Sequence, residues 1–217
     1  TVNGTAGFGR TISCTISRNG DLVNRVYVEA TLPALESSED DKHASWIENV
    51  GNFLIKEADI EIGGQRIDKH YGEWMHIWNE LSGSQSHKAG YDRMIGNVPE
   101  LQNASTNAKE YKLMIPLQFW FCRSPGLALP LIALQYHEVK INVTFENWEK
   151  LVRLGLIDVS HFSKANDDDD IYHVNDDHNT VWEYTNTGIS VDSDEIDAKL
   201  WVDYVYLDNE ERRRFAT

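Results

Sequence analysis

Eight histidines, at positions 43, 70, 76, 87, 137, 161, 173 and 178, are the side chains with which this chain could most readily hold a metal or move a proton. No two of them stand two residues apart, so no strand presents the paired imidazoles that a metal enzyme of the cupin type carries on one strand face. His70, Glu73 and His76 fall at i, i+3 and i+6 of a helical pattern, whereas a zinc-protease helix sets its two histidines at i and i+4. The trio therefore reads as polar groups at a strand-to-helix corner. The run Asp167 to Asp170, with Asp176 and Asp177, attracts cations, but consecutive aspartates point in different directions and no glycine supplies the turn of a selective calcium loop. Gly4, Gly7 and Gly9 do not follow a strand and open a helix, so they read as a bend and not as a phosphate cradle. No Gly-x-Ser-x-Gly and no Cys–His arrangement stands out. The expectation is a chain with no catalytic residue, no metal site and no cofactor.

Composition narrows the partners. The 217 residues carry a net charge of −15, with 41% hydrophobic and 11% aromatic residues. That is enough apolar material for a real core, and a charge that disfavours direct binding to nucleic acid. The densest cationic cluster, Arg212, Arg213 and Arg214, sits beside Glu210 and Glu211. Cys14 and Cys122 are the two cysteines, too few for a cysteine-built zinc site. They form either one disulfide or two free thiols, and the burial habit of free cysteine favours thiols. No apolar run approaches the roughly 20 residues of a membrane span, and no signal peptide is visible. A chain beginning at Thr1 reads as a processed or partial product.

Alternation supplies the elements. Residues 11–17 place Ile12, Cys14 and Ile16 on one face, and residues 22–32 place Val26, Val28, Ala30 and Leu32 on one face. The Asn19-Gly20 pair between them predicts an antiparallel hairpin. Ser45 is expected to cap a short helix containing Trp46, Val50, Phe53 and Leu54. A strand over 58–68 is expected to bend or bulge at Gly63-Gly64, and a helix over 72–81 to pack through Trp74, Ile77, Trp78 and Leu81. Residues 82–109 read as loop. The apolar run 111–122 contains Pro116, so that strand is at an edge or interrupted there. Short apolar strand material follows at 129–135. Residues 137–146 alternate cleanly, and 198–208 look buried on both faces. The total is seven strands, two short helices and two long loops, which means a sandwich or jelly roll.

The stretch 157–197 stands apart. It holds twelve acidic residues against Lys164 alone, so it carries −11 of the −15. Such a block must be solvated and reads as a surface insertion between the last two strands. Three glycosylation sequons occur, at Asn3, Asn103 and Asn142. Asn103, in a loop, and Asn3 are the candidate acceptors, whereas Asn142 lies on the outward face of a strand.

Several segments together closely resemble the major capsid proteins of nucleocytoplasmic large DNA viruses, the algal-virus and iridovirus-like members above all. They are 16–22, with Arg18, Asn19, Gly20 and Asp21; 61–71, with Gly63, Gly64, Gln65 and Arg66; 124–138, with Pro125, Gly126, Tyr136, His137 and Glu138; and 201–208 leading into 211–215. The loops at 36–57, 82–109 and 147–197 lie outside the resemblance. It implies an all-β, antiparallel, eight-stranded jelly roll, the first of two in a double jelly roll. Residues 1–208 would form that domain, with its first strand missing or partial and with 157–197 as an acidic insertion. Residues 209–217 would form a junction towards a second jelly roll. It further implies a structural, late-expressed protein and not an enzyme: a homotrimer forming pseudo-hexagonal capsomers of an icosahedral virion. Neighbouring capsomers and minor capsid proteins would be its partners, with an internal membrane beneath the shell and assembly in the host cytoplasm. The acidic insertion would suit an outward-facing tower loop. The competing reading is a lectin-like β-sandwich binding module, for which Trp46, Trp74, Trp78 and Trp148 would be the ring platforms.

Overall fold

The computed structural model describes residues 2–37, 42–156 and 189–216. In chain order the strands are β1 (Val2–Asn3), β2 (Thr11–Thr15), β3 (Leu22–Leu32), β4 (Leu35–Ser37), β5 (Lys42–Trp46), β6 (Ile55–Ile62), β7 (Gln65–Tyr71), β8 (Asn107–Ala108), β9 (Tyr111–Pro116), β10 (Leu129–Pro130), β11 (Val139–Phe145), β12 (Val152–Leu156), β13 (Ile189–Val191) and β14 (Asp197–Val205). The helices are α1 (Val50–Leu54), α2 (Gly72–Ser82), α3 (Lys88–Met94), α4 (Pro99–Gln102) and α5 (Asn209–Ala216).

Alternating side chains build two antiparallel sheets that face each other. The first runs β1-β2-β11-β6-β7. Its register sets Ile141 between Cys14 and Ile60, and Val143 between Ile12 and Ala58, all buried. The outward rows are polar: Thr144 lies between Thr11 and Glu57, and Asn142 between Ser13 and Asp59. The second sheet centres on β3, with β14 along one side and β9 and β10 along the other. Val28 there sits between Ile115 and Leu200. The inward rows of both sheets merge into one core, in which Trp46, Phe119, Phe121 and Phe145 are the largest side chains with essentially no exposure. Each such aromatic or aliphatic burial contributes about 1.5–3 kcal/mol. Two smaller sheets, β5-β12 and β13-β4-β8, complete the framework. The result is the expected all-β antiparallel sandwich of jelly-roll type, with fourteen strand segments among the described residues where the alternation alone suggests seven.

The expected hairpin between 11–17 and 22–32 does not form. β2 belongs to the first sheet and β3 to the second, so residues 17–21 cross from one sheet to the other. Burial decides this: both strands have an apolar face, and opposing those faces across the sandwich hides both from water. Gly20 also lacks the positive φ that an Asn-Gly hairpin turn requires. Its glycine has another cause, because a Cβ there would lie 2.7 Å from Tyr204 Cβ. The hairpin turn sits instead at Gly63 and Gly64, with φ of 62° and 83°, so the single bulged strand expected over 58–68 is two strands, β6 and β7.

Other expectations are corrected by packing. Ser45 lies inside β5, paired with Arg153, and caps nothing; α1 starts after Asn49, whose φ is 54°. In α2 the buried residues are Gly72 and Met75, while Trp74, Ile77 and Leu81 are exposed, so the apolar stripe faces away from this core. Gly72 fixes that orientation, since a Cβ on it would come within 2.3 Å of the Asn52 carbonyl oxygen of α1. Residues 82–109 contain α3, α4 and β8, anchored by buried Ile95, Val98, Leu101 and Ala108. Only Leu129 and Pro130 of 129–135 are strand, because the residues after them fold into successive turns. β14 alternates between exposed and half-buried positions, with Trp201 53% exposed, so it is covered on one face and not on both. Pro116 ends β9, which pairs only with β3 among the described residues, as a residue lacking N–H requires.

The crossover makes a sharp prediction. Gly20→Ala must push Tyr204 aside and should lower stability by about 1–3 kcal/mol, read as a drop in thermal midpoint. An alanine variant as stable as the parent would contradict the close approach.

Candidate functional site

His70 and His76 make separate ring contacts. His70, one residue before the end of β7, lies inside the protein, edge-on to Phe119 with 4.6 Å between ring centres, and its Nε2 accepts the Gln118 backbone N–H at 3.3 Å. Burial lowers its pKa to about 4, Asp68 opposing and Arg123 adding to the effect, so the ring is neutral at pH 7. His76 packs on Phe53 and Glu73 points to solvent. No group of three His, Cys, Asp or Glu side chains converges on a metal-sized space among the described residues. Cys14 and Cys122 are both free; burial raises the pKa of each, that of Cys122 to about 11, which keeps them as thiols. An open cleft of about 370 Å³ lies beside Phe53, Lys56, Tyr71, Glu73, Glu146 and Lys150. Lys150 and Glu146 there pair with each other at 3.2 Å. The Asp167–Asp170 tract with Asp176 and Asp177 lies outside the described residues.

Several residues of the resemblance motifs meet at one end of the sandwich, where they fasten chain segments. Arg18 donates to the carbonyl oxygens of Leu134 (2.6 Å), Gln135 and His137 (3.0 Å), collecting the outward carbonyls of the 131–137 turns. The Gly63 N–H donates to the Glu138 carbonyl at 2.9 Å, and a Cβ on Gly63 would strike His137 Nδ1 at 2.7 Å, so the β6–β7 turn lies directly on that loop. Glu138 accepts from Lys140 at 3.0 Å and from Thr15 Oγ1 at 3.2 Å, and both lower its pKa. Asp21 Oδ2 accepts the Leu207 N–H at 2.8 Å and both Nε and an NH2 nitrogen of Arg212, at 3.1 and 3.0 Å. The Leu207 amide, then Arg212, hold the Asp21 carboxyl below its usual range. The crossover thus grips the 134–138 loop with Arg18 and the entry to α5 with Asp21. Asn19, Gln65, Arg66, Pro125, Gly126 and Tyr136 do not join this cluster. They are exposed, Tyr136 to 94%.

The remaining feature is surface. Ile67, Tyr71, Trp74, Ile77 and Leu81 are exposed apolar side chains along β7 and α2, where Trp74 and Trp78 pack tilted with ring centres 5.8 Å apart and the Arg123 guanidinium lies 4.5 Å over Trp78. Exposed apolar groups of this kind mark contact surfaces. Trp46, one of the four ring platforms of the lectin-like reading, is fully buried, which removes it from any sugar-binding face. Asn3 and Asn103 are exposed; Asn142 is half-buried and donates to Asp59 and Glu61 at 2.9 and 3.0 Å. Alternation does not reveal the burial of Glu29. It lies on the outward face of β3, yet is only 7% exposed, covered by Trp201, whose Nε1–H donates to it at 2.8 Å, and by Lys112 and Lys199. Trp201 first, then Lys112 and Lys199, lower its pKa. The cross-strand register of Glu29 opposite Lys199 and Met114, with Trp201 one pair along, would have revealed it had the strand partners been known.

Comparison with known proteins bears on these features. Residues 1–208 match the family described as major capsid protein N-terminus. The major capsid protein of Pyramimonas orientalis virus is 44% identical over 218 residues, covering all of this chain and 45% of that protein. A solved structure of the PBCV-1 virus capsid superposes with a TM-score of 0.69 at 32% identity, over all of this chain and 43% of the other. The Faustovirus major capsid protein shares the fold, with a TM-score of 0.69 at 13% identity over 98% of this chain and 54% of the other. The chain spans less than half the length of the first curated relatives it matches.

Two measurements probe His70 and Asp21. Unfolded His70 protonates near pH 6.5 and the folded one only near pH 4, so the unfolded state binds the extra proton between them. Stability should therefore fall as pH drops through that window, by on the order of 3 kcal/mol, and the loss should level off below it. His70→Gln should flatten that slope in acid-titration unfolding, and an unchanged slope would refute the assignment. Asp21→Asn should speed hydrogen exchange at the Leu207 amide while leaving amides of β11 protected; equal protection in both proteins would show that the carboxylate does not hold the α5 entry.

Proposed function

The chain belongs to the major capsid protein family of nucleocytoplasmic large DNA viruses, through the region that forms the N-terminus of those proteins, and from that membership we propose that it serves as a structural subunit of a virus shell. The observation that carries the proposal is the family match over residues 1–208 on a sandwich in which Arg18, Asp21 and Gly63 fasten strands and loops to one another. The role is structural and not catalytic, like that of the capsid relatives.

In this reading residues 1–208 form the first jelly roll, and α5, latched by Asp21, begins the junction to a second one. Three copies assemble into a pseudo-hexagonal capsomer of an icosahedral virion. Side-to-side assembly needs exposed apolar surface, and Ile67, Tyr71, Trp74, Ile77 and Leu81 supply some. Minor capsid proteins and an internal membrane are the further neighbours, assembly takes place in the host cytoplasm, and Asn103 and Asn3 are the glycan acceptors. A charge of −15 keeps the subunit from competing for the genome. The outward tower formed by the acidic insertion is likewise a proposal, and most of that segment lies outside the described residues.

The test is the mass in solution of this chain joined to the second half its relatives carry. Light scattering should report three copies. A species that stays monomeric at high concentration would overturn the proposal.

A further inference from the structure

We propose that Asn19 is a site of spontaneous covalent modification, converting through a cyclic imide to aspartate and isoaspartate, and that the conversion loosens the crossover between the two sheets. Asn19 is exposed, and among the described residues neither its carboxamide nor the Gly20 N–H enters a hydrogen bond. Electrophile and nucleophile are thus adjacent in the chain and both uncommitted. The residue that follows has no Cβ to obstruct ring closure, and it is held as glycine by Tyr204, which a Cβ would meet at 2.7 Å. Packing therefore fixes at position 20 the residue type that makes its neighbour reactive.

The step is balanced without any oxidant or cofactor. The Gly20 backbone nitrogen gives its proton to water and attacks Asn19 Cγ. A carbon–nitrogen bond forms, and the side-chain nitrogen leaves as ammonia. Water then opens the imide at either carbonyl, giving aspartate or isoaspartate. The other Asn-Gly pair is held differently: Asn3 lies within β1, in register with Ser13 of β2, and a Cβ on Gly4 would lie 3.3 Å from the Thr11 carbonyl oxygen. Asn24, in the same tryptic peptide as Asn19, lies within β3 and precedes Arg25.

The location gives the change its consequence. Asn19 stands between Arg18, which holds three carbonyls of the 134–137 loop, and Asp21, which holds Leu207 and Arg212. Either product adds a negative charge beside Asp21. Isoaspartate also inserts a methylene into the main chain between the two clamps.

The native chain is aged at mildly alkaline pH beside the Asn19→Gln variant and a urea-unfolded sample. The peptide Asn19–Arg25 is then read by mass spectrometry with fragmentation that separates the two acids. The native chain should lose the amide at Asn19 and keep it at Asn24, and aged wild type, unlike aged Asn19→Gln, should lose exchange protection at the Leu207 amide. An Asn19 that keeps its amide in the native chain while the unfolded sample converts would overturn the modification. Conversion with Leu207 protection intact would overturn its structural consequence.

Discussion

The burial of two alternating faces against each other governs everything else in this molecule. Ile12, Cys14, Ile60, Ile141, Val143 and Phe145 from one sheet and Val26, Val28, Ala30, Leu113 and Ile115 from the other lose almost all contact with water in one shared core. Because side chains alternate, a slip of one residue in β11 would turn that face out and bring Lys140, Asn142 and Thr144 inward. Register, sheet order and the positions of the loops follow from avoiding that exchange.

Closing such a sandwich requires the chain to pass from one sheet to the other, and Arg18, Asp21 and Gly63 act where it does so. Arg18 satisfies carbonyls that the 131–137 turns leave pointing outward, Gly63 lets the β6–β7 turn lie on His137, and Asp21 brings the end of β14 and the start of α5 back to the crossover. These are connections between backbone segments, made through the Arg18 guanidinium, the Gly63 N–H and Asp21 Oδ2. That is the chemistry of a rigid building unit. The groups with altered pKa values agree: His70 is kept neutral by burial against Phe119, and Asp21, Glu29 and Glu138 are kept charged by named partners.

Much of this was legible in the amino-acid order. β3 and β11 are where alternation places them, since period-two burial leaves little choice for strands with one wet face. What was not legible depended on distant partners. Asn19-Gly20 has the composition of a hairpin turn, yet its glycine answers to Tyr204, nearly the whole chain away. The stripe of α2 has the period of a packing face, but Gly72 turns the helix so that Met75 goes in and Trp74 stays out. The helices of 82–109 are short and held by single anchors such as Ile95 and Leu101, too few to make a period, although Pro99 followed by Glu100 was a helix-start signal. The motif residues were recognisable as a set, whereas the fastening done by some of them, Arg18, Asp21, Gly63 and Glu138, required coordinates.

The central claim is that this chain forms part of a shell. Electron cryomicroscopy of intact particles from infected cells, at a resolution that traces side chains, tests it most directly. The account predicts two-sheet density at repeated shell positions into which the described residues fit with the Arg18 and Asp21 connections intact. Particles whose shell density cannot hold this sandwich, or which lack the chain altogether, would contradict it.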